Sequence, residues 1–471
     1  MTDNEKLPKG WVLAPLGELA EYINGRAFKP TEWEREGKPI LRIQNLTGST
    51  DEINRYSKPI EDKYLIKDGQ LLISWSATLG AFIYRGEDAV LNQHIFKVIP
   101  YVDKKYLYHL TNAYIGSLKS KVHGSGMQHI TKGLFDTSQV PLAPSNEQLR
   151  IVSKIEELVS ELDAGVSSLH KAKCQIKIYR QSVLKSAFDG KLTAKWREKN
   201  KNKIESVEKI LARIKEERKL RLGKRHKDVL PFDASELPKL PKEWVWCSMS
   251  EACGVISNGN TPEPSKMTRD SGDIPFIKVY NLTKDGRLDF TVKPTFIDRE
   301  THRKELAKSI TYPGDILINI VGPPLGKVSL VPDTYPEWNT NQAVVLYRAS
   351  KNLETRFLLF YLLSNDLIRF LTKKSKATAG QYNVQLSTCR SAPLPFVPIL
   401  EQKEIVRQID IKMSAIERTE QLIDKNLTMA ENMRQSILKT AFEGKLAPQD
   451  PKDEPAEKLL ERIRAEKSKK R

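Results

Sequence analysis

The sequence predicts two copies of a mixed α/β (α+β) globule, each followed by a long helix of coiled-coil character. Three observations predict it. Residues 180–192 read RQSVLKSAFDGKL and residues 434–446 read RQSILKTAFEGKL, ten of thirteen positions identical at an offset of 254. A period that long is a duplicated domain and not a solenoid repeat of 20–50 residues. Ahead of each of these segments, apolar residues recur at alternating spacings of three and four, the pattern of a narrow helical seam. Upstream of the seams, short apolar runs bounded by Gly, Pro, Asn and Asp mark strands.

The first globule, residues 1–145, opens with LPKGW (Leu7–Trp11), and the second, 236–399, with LPKEW (Leu240–Trp244). KPILRIQNLT (Lys38–Thr47) answers DIPFIKVYNLT (Asp273–Thr283), and KDGQLLISWSATLG (Lys67–Gly80) answers PGDILINIVGPPLG (Pro313–Gly326). A shared Asn-Gln follows, Asn92-Gln93 and Asn341-Gln342. The offset grows from 233 to 254 across these segments, so the insertions fall within them, as surface loops on a fixed scaffold allow. Strands are expected at Leu71–Trp75, Ile95–Val98, Ile316–Ile320 and Val344–Tyr347, and helices at Tyr106–Val122 and Thr355–Leu371.

Two long helices are expected at 146–194 and 400–447. The first seam runs through Ile151, Ile155, Leu158, Leu162, Leu169 and Ile176, with Tyr179 and Val183 beyond and one position skipped at Gly165. The second runs through Ile405, Ile409, Ile416, Ile423, Met433 and Ile437, with Lys412, Thr419 and Asn426 at intervening positions. About 40 residues make a rod of roughly 60 Å. A narrow seam in two copies of matching length favours a helix pair over helices lying on their own globules. Gly190 and Gly444 stand where helix C-caps are wanted. Basic amphipathic segments close each half: a linker at 195–235 containing VEKILARIKEER (Val207–Arg218), and a tail at 448–471 containing AEKLLERIRAEK (Ala456–Lys467).

The net charge of +18 points to a polyanionic partner, most simply nucleic acid, and residues 195–228 alone carry fourteen Lys/Arg against six Asp/Glu. No run of apolar residues is long enough for a membrane span, and the N-terminus has no apolar core of a signal peptide. The four cysteines (Cys174, Cys247, Cys253, Cys389) show no CxxC pairing, which fits a reducing cytoplasm.

No catalytic constellation emerges. The D/N-P-P-aromatic motif of an amino-methyltransferase is missing, and Gly322–Lys327 falls one residue short of a P-loop. Asp51 with Glu61 and Lys63 imitates a nuclease triplet without a counterpart in the duplicate. His123 and His129 lack metal-ligand spacing, and no metal site is expected.

Binding remains. In the first globule the groups suited to base edges and phosphates are Arg42, Gln44, Asn45, Ser74, Trp75, Ser76, His123, Gln128, His129 and Lys132. In the second they are Lys278, Tyr280, Asn281, Asn319, Lys373, Lys374, Lys376, Gln381, Tyr382 and Asn383. Arg and Lys match guanine, Asn and Gln match adenine, and both kinds reach phosphates.

The LP-x-x-W openings, the IQNLT and VYNLT segments, GMQHITKGLFDTSQVPLAPSNEQ (Gly126–Gln148) with GQYNVQLSTCRSAPLPFVPILEQ (Gly380–Gln402), and the RQS-x-L-K-x-A-F-x-G-K-L helix ends together resemble one family. It is the DNA-specificity subunit of type I restriction–modification systems, and the match spans nearly the whole chain in order. The resemblance implies two target-recognition domains, each reading one half of a bipartite asymmetric double-stranded DNA site. It implies antiparallel pairing of the long helices, with the spacer length set by them, in an internal pseudo-twofold repeat. It implies a non-catalytic subunit that recruits two adenine-N6 methyltransferase (modification) subunits and restriction/translocase subunits. S-adenosylmethionine, ATP and Mg2+ are then expected only on those partners, with no cofactor on this chain. The alternative is a stand-alone DNA-binding regulator or scaffold without a methyltransferase partner.

Overall fold

The computed structural model describes residues 7–76, 78–120, 131–222, 233–378 and 381–469. The chain forms two compact units, and each takes its residues from two places in the sequence or from the middle of it. The first unit holds residues 1–170 and 423–471; the second holds 171–422. Both long helices, Ser145–Phe188 and Ile399–Phe442, are 44 residues each, and each begins in one unit and ends in the other.

In the first unit β1 (Val12–Pro15) pairs antiparallel with β10 (Gln139–Leu142). A four-stranded sheet joins β2 (Ala20–Asn24), β9 (Ile95–Pro100), β6 (Leu71–Ser74) and β7 (Gly80–Ile83) in that order. A second sheet joins β4 (Arg55–Tyr56), β3 (Lys38–Leu41), β8 (Ala89–Leu91) and β5 (Leu65–Ile66), with β3 and β8 parallel. Strands β6 and β8 are buried along their whole length, which is why they read as unbroken apolar runs. The larger core of the unit, which β6 enters through Leu71 and Ile73, gathers Trp11, Phe96, Tyr106 and Phe135 together with Phe442 from the second long helix and Leu460 from the C-terminal helix Ala456–Lys469.

The second unit repeats the plan. Strand β11 (Val245–Ser248) pairs with β22 (Pro393–Phe396). The first sheet has the order β12 (Cys253–Asn258), β19 (Val344–Ala349), β16 (Ile316–Asn319), β17 (Val328–Leu330). The second has the order β13 (Met267–Arg269), β15 (Thr295–Ile297), β14 (Ile274–Ile277), β18 (Asn339–Thr340), with β14 and β18 parallel. A hairpin, β20 (Lys376–Thr378) and β21 (Gln381–Asn383), is added. The helix expected at Thr355–Leu371 is two helices, Thr355–Leu362 and Asn365–Lys374. The break falls at Ser364, which adopts the extended N-cap conformation, and the Ser-Asn-Asp sequence there favours a cap over a helix interior.

Within each unit the two long helices run antiparallel. In the first, Ile155 shares a core with Ala441 and Phe442, and, further along, Asp163 pairs with Arg434. In the second, Arg180 Nη2 pairs with Glu420 Oε2 at 2.9 Å, and Val183, Ala187 and Phe188 share a core with Ile405 and Ile409. Ile151, Ile155, Ile405, Ile409, Ile416 and Ile423 are buried, and Leu158, Leu162, Leu169, Ile176 and Ile437 half-buried. Met433 is a correction, because it is 53% exposed, as is Tyr179 at 50%. The second column of the seam lies one residue later than expected, through Val406, Met413, Glu420, Leu427, Arg434 and Ala441, so that spacings of four and three alternate from the buried isoleucines. That register hands the position to Arg434 in one helix and to Arg180 in the other, each held by an ion pair.

The duplicated motifs meet at one joint in each unit. In the first, Trp11 Nε1 donates to Glu147 Oε2 at 3.0 Å; in the second, Trp244 Nε1 donates to Glu401 Oε2 at 3.0 Å. The neighbouring glutamines brace the chain, Gln148 donating to the Ala143 carbonyl (2.8 Å) and Gln402 to the Val397 carbonyl (2.7 Å). Both helix ends close through a left-handed glycine, Gly190 (φ 73°) and Gly444 (φ 70°), with Lys191 N bonding the Ser186 carbonyl and Lys445 N the Thr440 carbonyl. A side chain on Gly444 would stand 2.2 Å from Pro8 Cγ, and one on Gly190 2.3 Å from Pro241 Cγ. The opening of each globule is therefore seated on the end of the helix that follows the other globule in sequence. The basic helices continue this exchange: Val207, Ile210 and Ile214 of helix Val207–Leu222 are buried in the second unit, and Ala456, Leu460 and Ile463 in the first.

Candidate nucleic-acid interface

In the first unit β2 and β6 both run antiparallel to β9, which lies between them, so β2 and β6 end where β9 begins. Three segments converge on that edge: Asn24-Gly25-Arg26, Ser74-Trp75-Ser76, and Asn92-Gln93-His94. Backbone bonds fix them, Gly25 N to Ile95 O (3.0 Å), Trp75 N to His94 O (3.2 Å) and Gln93 N to Arg26 O (2.9 Å). Asn92 N donates to Leu41 O at 3.2 Å and brings in the turn that begins at Arg42. The second unit builds the same edge from Asn258-Gly259-Asn260, Asn319-Ile320-Val321 and Asn341-Gln342. Here Gly259 N bonds Val344 O (3.3 Å), Ile320 N bonds Ala343 O (2.9 Å), and Asn341 N bonds Ile277 O (3.2 Å), which brings in the turn at Lys278.

The expected contact residues divide at this edge. Gln44 is exposed, and Arg42 is half-buried with its guanidinium 5.3 Å from the Trp33 ring. Trp75 is half-buried, donates to Asn24 Oδ1 at 3.1 Å, and meets the His94 ring edge-on at 4.8 Å. Lys278 is half-buried, and Tyr280 is 37% exposed with its hydroxyl donating to the Lys293 carbonyl at 3.2 Å. Val321 bridges to Asn383, and Gly322 N bonds the Tyr382 carbonyl at 3.1 Å, so the β20–β21 hairpin with Lys376, Gln381, Tyr382 and Asn383 abuts the same edge. Lys373 and Lys374 are exposed in the helical turn that leads into it. Lys132 is exposed but starts the helix Lys132–Thr137, which adjoins Leu16–Glu18 ahead of β2 and not the edge where β2 ends. His123, Gln128 and His129 lie outside the described residues.

Five expected contacts turn inward or brace their own turns instead. Asn281 is 1% exposed; its Oδ1 accepts from Lys278 N (2.9 Å) and its Nδ2 donates to the Asp289 and Val292 carbonyls. Asn45 does the same work in the other copy, accepting from Arg42 N (3.1 Å) and donating to the Glu52 carbonyl (3.0 Å). Asn319 is buried and ties down the Gly322–Gly326 loop through the Val321 and Pro324 carbonyls and Lys327 N. Ser74 is buried with its hydroxyl on the Ser76 carbonyl, and Ser76 is buried beside it. Asn281 and Asn319 give both amide N–H donors to backbone carbonyls and are buried, which removes them from contact with a ligand, whereas half-buried Asn45 uses one of its two donors in bracing its turn. What sequence reasoning missed is the Asn-Gly turn, Asn24-Gly25 and Asn258-Gly259. The signal was present as a dipeptide repeated at an offset of 234, in line with the flanking duplications.

Among the described residues no cluster of His, Cys, Asp and Glu is arranged to hold a metal ion, and no helix is long and apolar enough to cross a membrane.

Compared with known families, residues 8–168 and 241–425 match the model of the type I restriction modification DNA specificity domain. The chain belongs to this family. It is a DNA-recognition subunit, in a family whose members are specificity subunits and not themselves the catalysts. Over 478 residues it is 26% identical to the type I restriction enzyme EcoBI specificity subunit of Escherichia coli, covering 97% of this chain and 92% of that one. It is 22% identical to the EcoKI specificity subunit of Escherichia coli strain K12, covering 98% and 97%. A solved structure from work on complex assembly and conformational transition of the type I R-M system matches with a TM-score of 0.61 at 18% identity, covering 94% of this chain and all of that one. That likeness is one of fold. Both matched segments of the specificity subunit carry the strand-end edge described above, and each stops within the long helix that follows its globule.

Proposed function

We propose that this specificity subunit reads a bipartite, asymmetric double-stranded DNA site, one half by each strand-end edge, and that the paired long helices set the length of the unread spacer. The observation that carries this is the repetition of one edge with different side chains. Arg26, Arg42 and Trp75 in the first unit correspond to Asn260, Lys278 and Ile320 in the second. A repeated frame gives each edge the same approach to a groove, and different side chains there give different base preferences. Two major-groove readers on one face of a duplex sit about one helical turn, near 34 Å, apart or a multiple of it. Helices of 44 residues extend about 66 Å and have the reach for such spacing.

The subunit recruits two methyltransferase subunits, and restriction/translocase subunits join them; S-adenosylmethionine, ATP and Mg2+ are bound on those partners, in the cytoplasm. Two helix-end joints of the same construction supply two similar docking places for two copies of one partner. Exposed Tyr179 and Met433, equivalent positions beside the duplicated RQS segments, mark those places. A stand-alone regulator is the weaker reading, because it gives no role to the duplicated joints.

The test is a binding selection on random duplex DNA at fixed salt, with the methyltransferase partner present. The expected product is two short motifs separated by a constant unspecified gap. A single contiguous motif, or methylation or cleavage of DNA by this chain alone, overturns the reading.

A further inference from the structure

The two edges share one exposed element unchanged. Asn92-Gln93 and Asn341-Gln342 occupy the same turn, directly before β9 and β19, while their surroundings differ. His94 corresponds to Ala343, Trp75 to Ile320, and Arg26 to Asn260. The glycine that faces each turn is required. A Cβ on Gly25 would lie 2.0 Å from the Asn92 carbonyl oxygen, and one on Gly259 1.9 Å from the Thr340 carbonyl oxygen. The Asn-Gly turn thus lets the Asn-Gln turn press against it in both units. Asn92 Oδ1 and Asn341 Oδ1 are buried with no hydrogen-bond partner among the described residues, at the same place in both copies. Unmatched buried acceptors are uncommon, and a matched pair marks this turn as shaped by more than packing. Gln93 and Gln342 project from it and are exposed; the Gln342 side-chain oxygen accepts from the Thr261 hydroxyl, which leaves its amide N–H groups to donate.

An element identical at both edges does not distinguish two different half-sites. It serves what the half-sites have in common, which is the sugar–phosphate backbone. A glutamine amide is a neutral donor of the kind that contacts phosphate oxygens and fixes register without reading sequence. We propose that Gln93 and Gln342 each donate a side-chain hydrogen bond to a DNA phosphate and serve as matched register contacts, one per half-site. Base preference then lies with the side chains that differ around them. This rests on the proposed reading of one half-site per edge.

The experiment uses the full chain in complex with its methyltransferase partner. Gln93→Ala, Gln342→Ala and the double variant are titrated with two probes: a duplex carrying the selected site and a duplex of unrelated sequence. Each single variant is expected to weaken both probes by the same factor, about threefold to tenfold, the loss of one hydrogen bond. The double variant multiplies the two factors. Base preferences from a repeated selection stay unchanged, and so does the dependence of affinity on salt, since no charge is removed. Gln93→Glu, which sets a carboxylate against the phosphate, weakens binding further than Gln93→Ala and most at low salt. A changed base preference in one half-site, or binding unaltered by Gln93→Ala and Gln342→Ala, overturns the assignment. Thermal unfolding of each variant reports folding, and both residues are exposed. If the unvaried complex selects no bipartite site, the proposed function fails; the unrelated duplex still tests the phosphate contact on its own.

Discussion

The joints of the two units have the same geometry and different electrostatics. Each has a tryptophan donating at 3.0 Å to a buried glutamate, beside a left-handed glycine packed on a proline. At the second joint Glu401 is fully buried but met by a cation. Arg197 pairs with it at 2.8 Å, donates a further bond to the Gly190 carbonyl, and lies 5.0 Å from the Trp244 ring; Thr193 adds a bond of 2.6 Å. At the first joint the helix end is followed by Ala447 and Gln449 where the other copy has Thr193 and the short helix Ala194–Asn200 that carries Arg197. Glu147 receives Trp11 and a long bond of 3.4 Å from Gln449, and the nearby Arg150 is engaged with Asp453. Burial accordingly raises the Glu147 carboxyl above the ordinary carboxylate range, with the Trp11 and Gln449 bonds opposing it. Duplication kept the hydrogen-bond frame, and the compensation of the buried charge diverged.

The largest effect that follows is at the second joint. Arg197→Met leaves Glu401 buried without a cation, and chemical unfolding should show a loss of about 3–5 kcal/mol. Hydrogen exchange should place that loss within residues 171–422. A loss below about 1 kcal/mol would mean that Thr193 and Trp244 suffice and that the joints do not differ in substance.

Gly190→Ala and Gly444→Ala come next and should act alike, because the frame is the same on both sides. Each places a Cβ against a proline at a positive φ, and each should cost about 1–3 kcal/mol. Unequal losses measured by the same unfolding experiment would show that the frame has diverged as well.

The smallest effect is a pH dependence confined to the first joint. A carboxyl raised in the folded state binds its proton more tightly when folded. The stability this contributes is present below the ordinary carboxylate range and is lost as pH rises through the raised folded value. Glu147→Gln removes that term. Melting temperatures should therefore favour the wild type over Glu147→Gln most at acid pH, with the difference shrinking or reversing by neutrality. A difference that is constant with pH would contradict the account of Glu147.

Much of the fold was legible in the residues because periodicity and turn chemistry are local. The strands at Leu71, Ile95, Ile316 and Val344 and both long helices follow from apolar spacing alone. What the spacing hid was cross-assembly. Trp11 and Glu147 belong to one copy, but the glycine beneath Pro8 is Gly444, at the far end of the other. A linear repeat carries no mark of such an exchange. The seam slipped by one residue at Met433 because a half-buried arginine in an ion pair looks like a surface residue in sequence, while an exposed methionine looks like core. At the candidate interface, Asn281 and Asn319 look in sequence like free amides, because sequence does not distinguish a loop asparagine facing a ligand from one bracing its own turn. Their burial and saturated bonds decide it.

Under the proposed function the helix pair measures the distance between the two DNA segments read. Deleting one heptad from each helix, residues 168–174 and 422–428, keeps the antiparallel register and shortens the pair by about 10 Å. Selection of random duplex DNA by this variant with its methyltransferase partner should return the same two motifs with the gap between them shortened by about three base pairs. The same motifs recovered at the original spacing would contradict the claim.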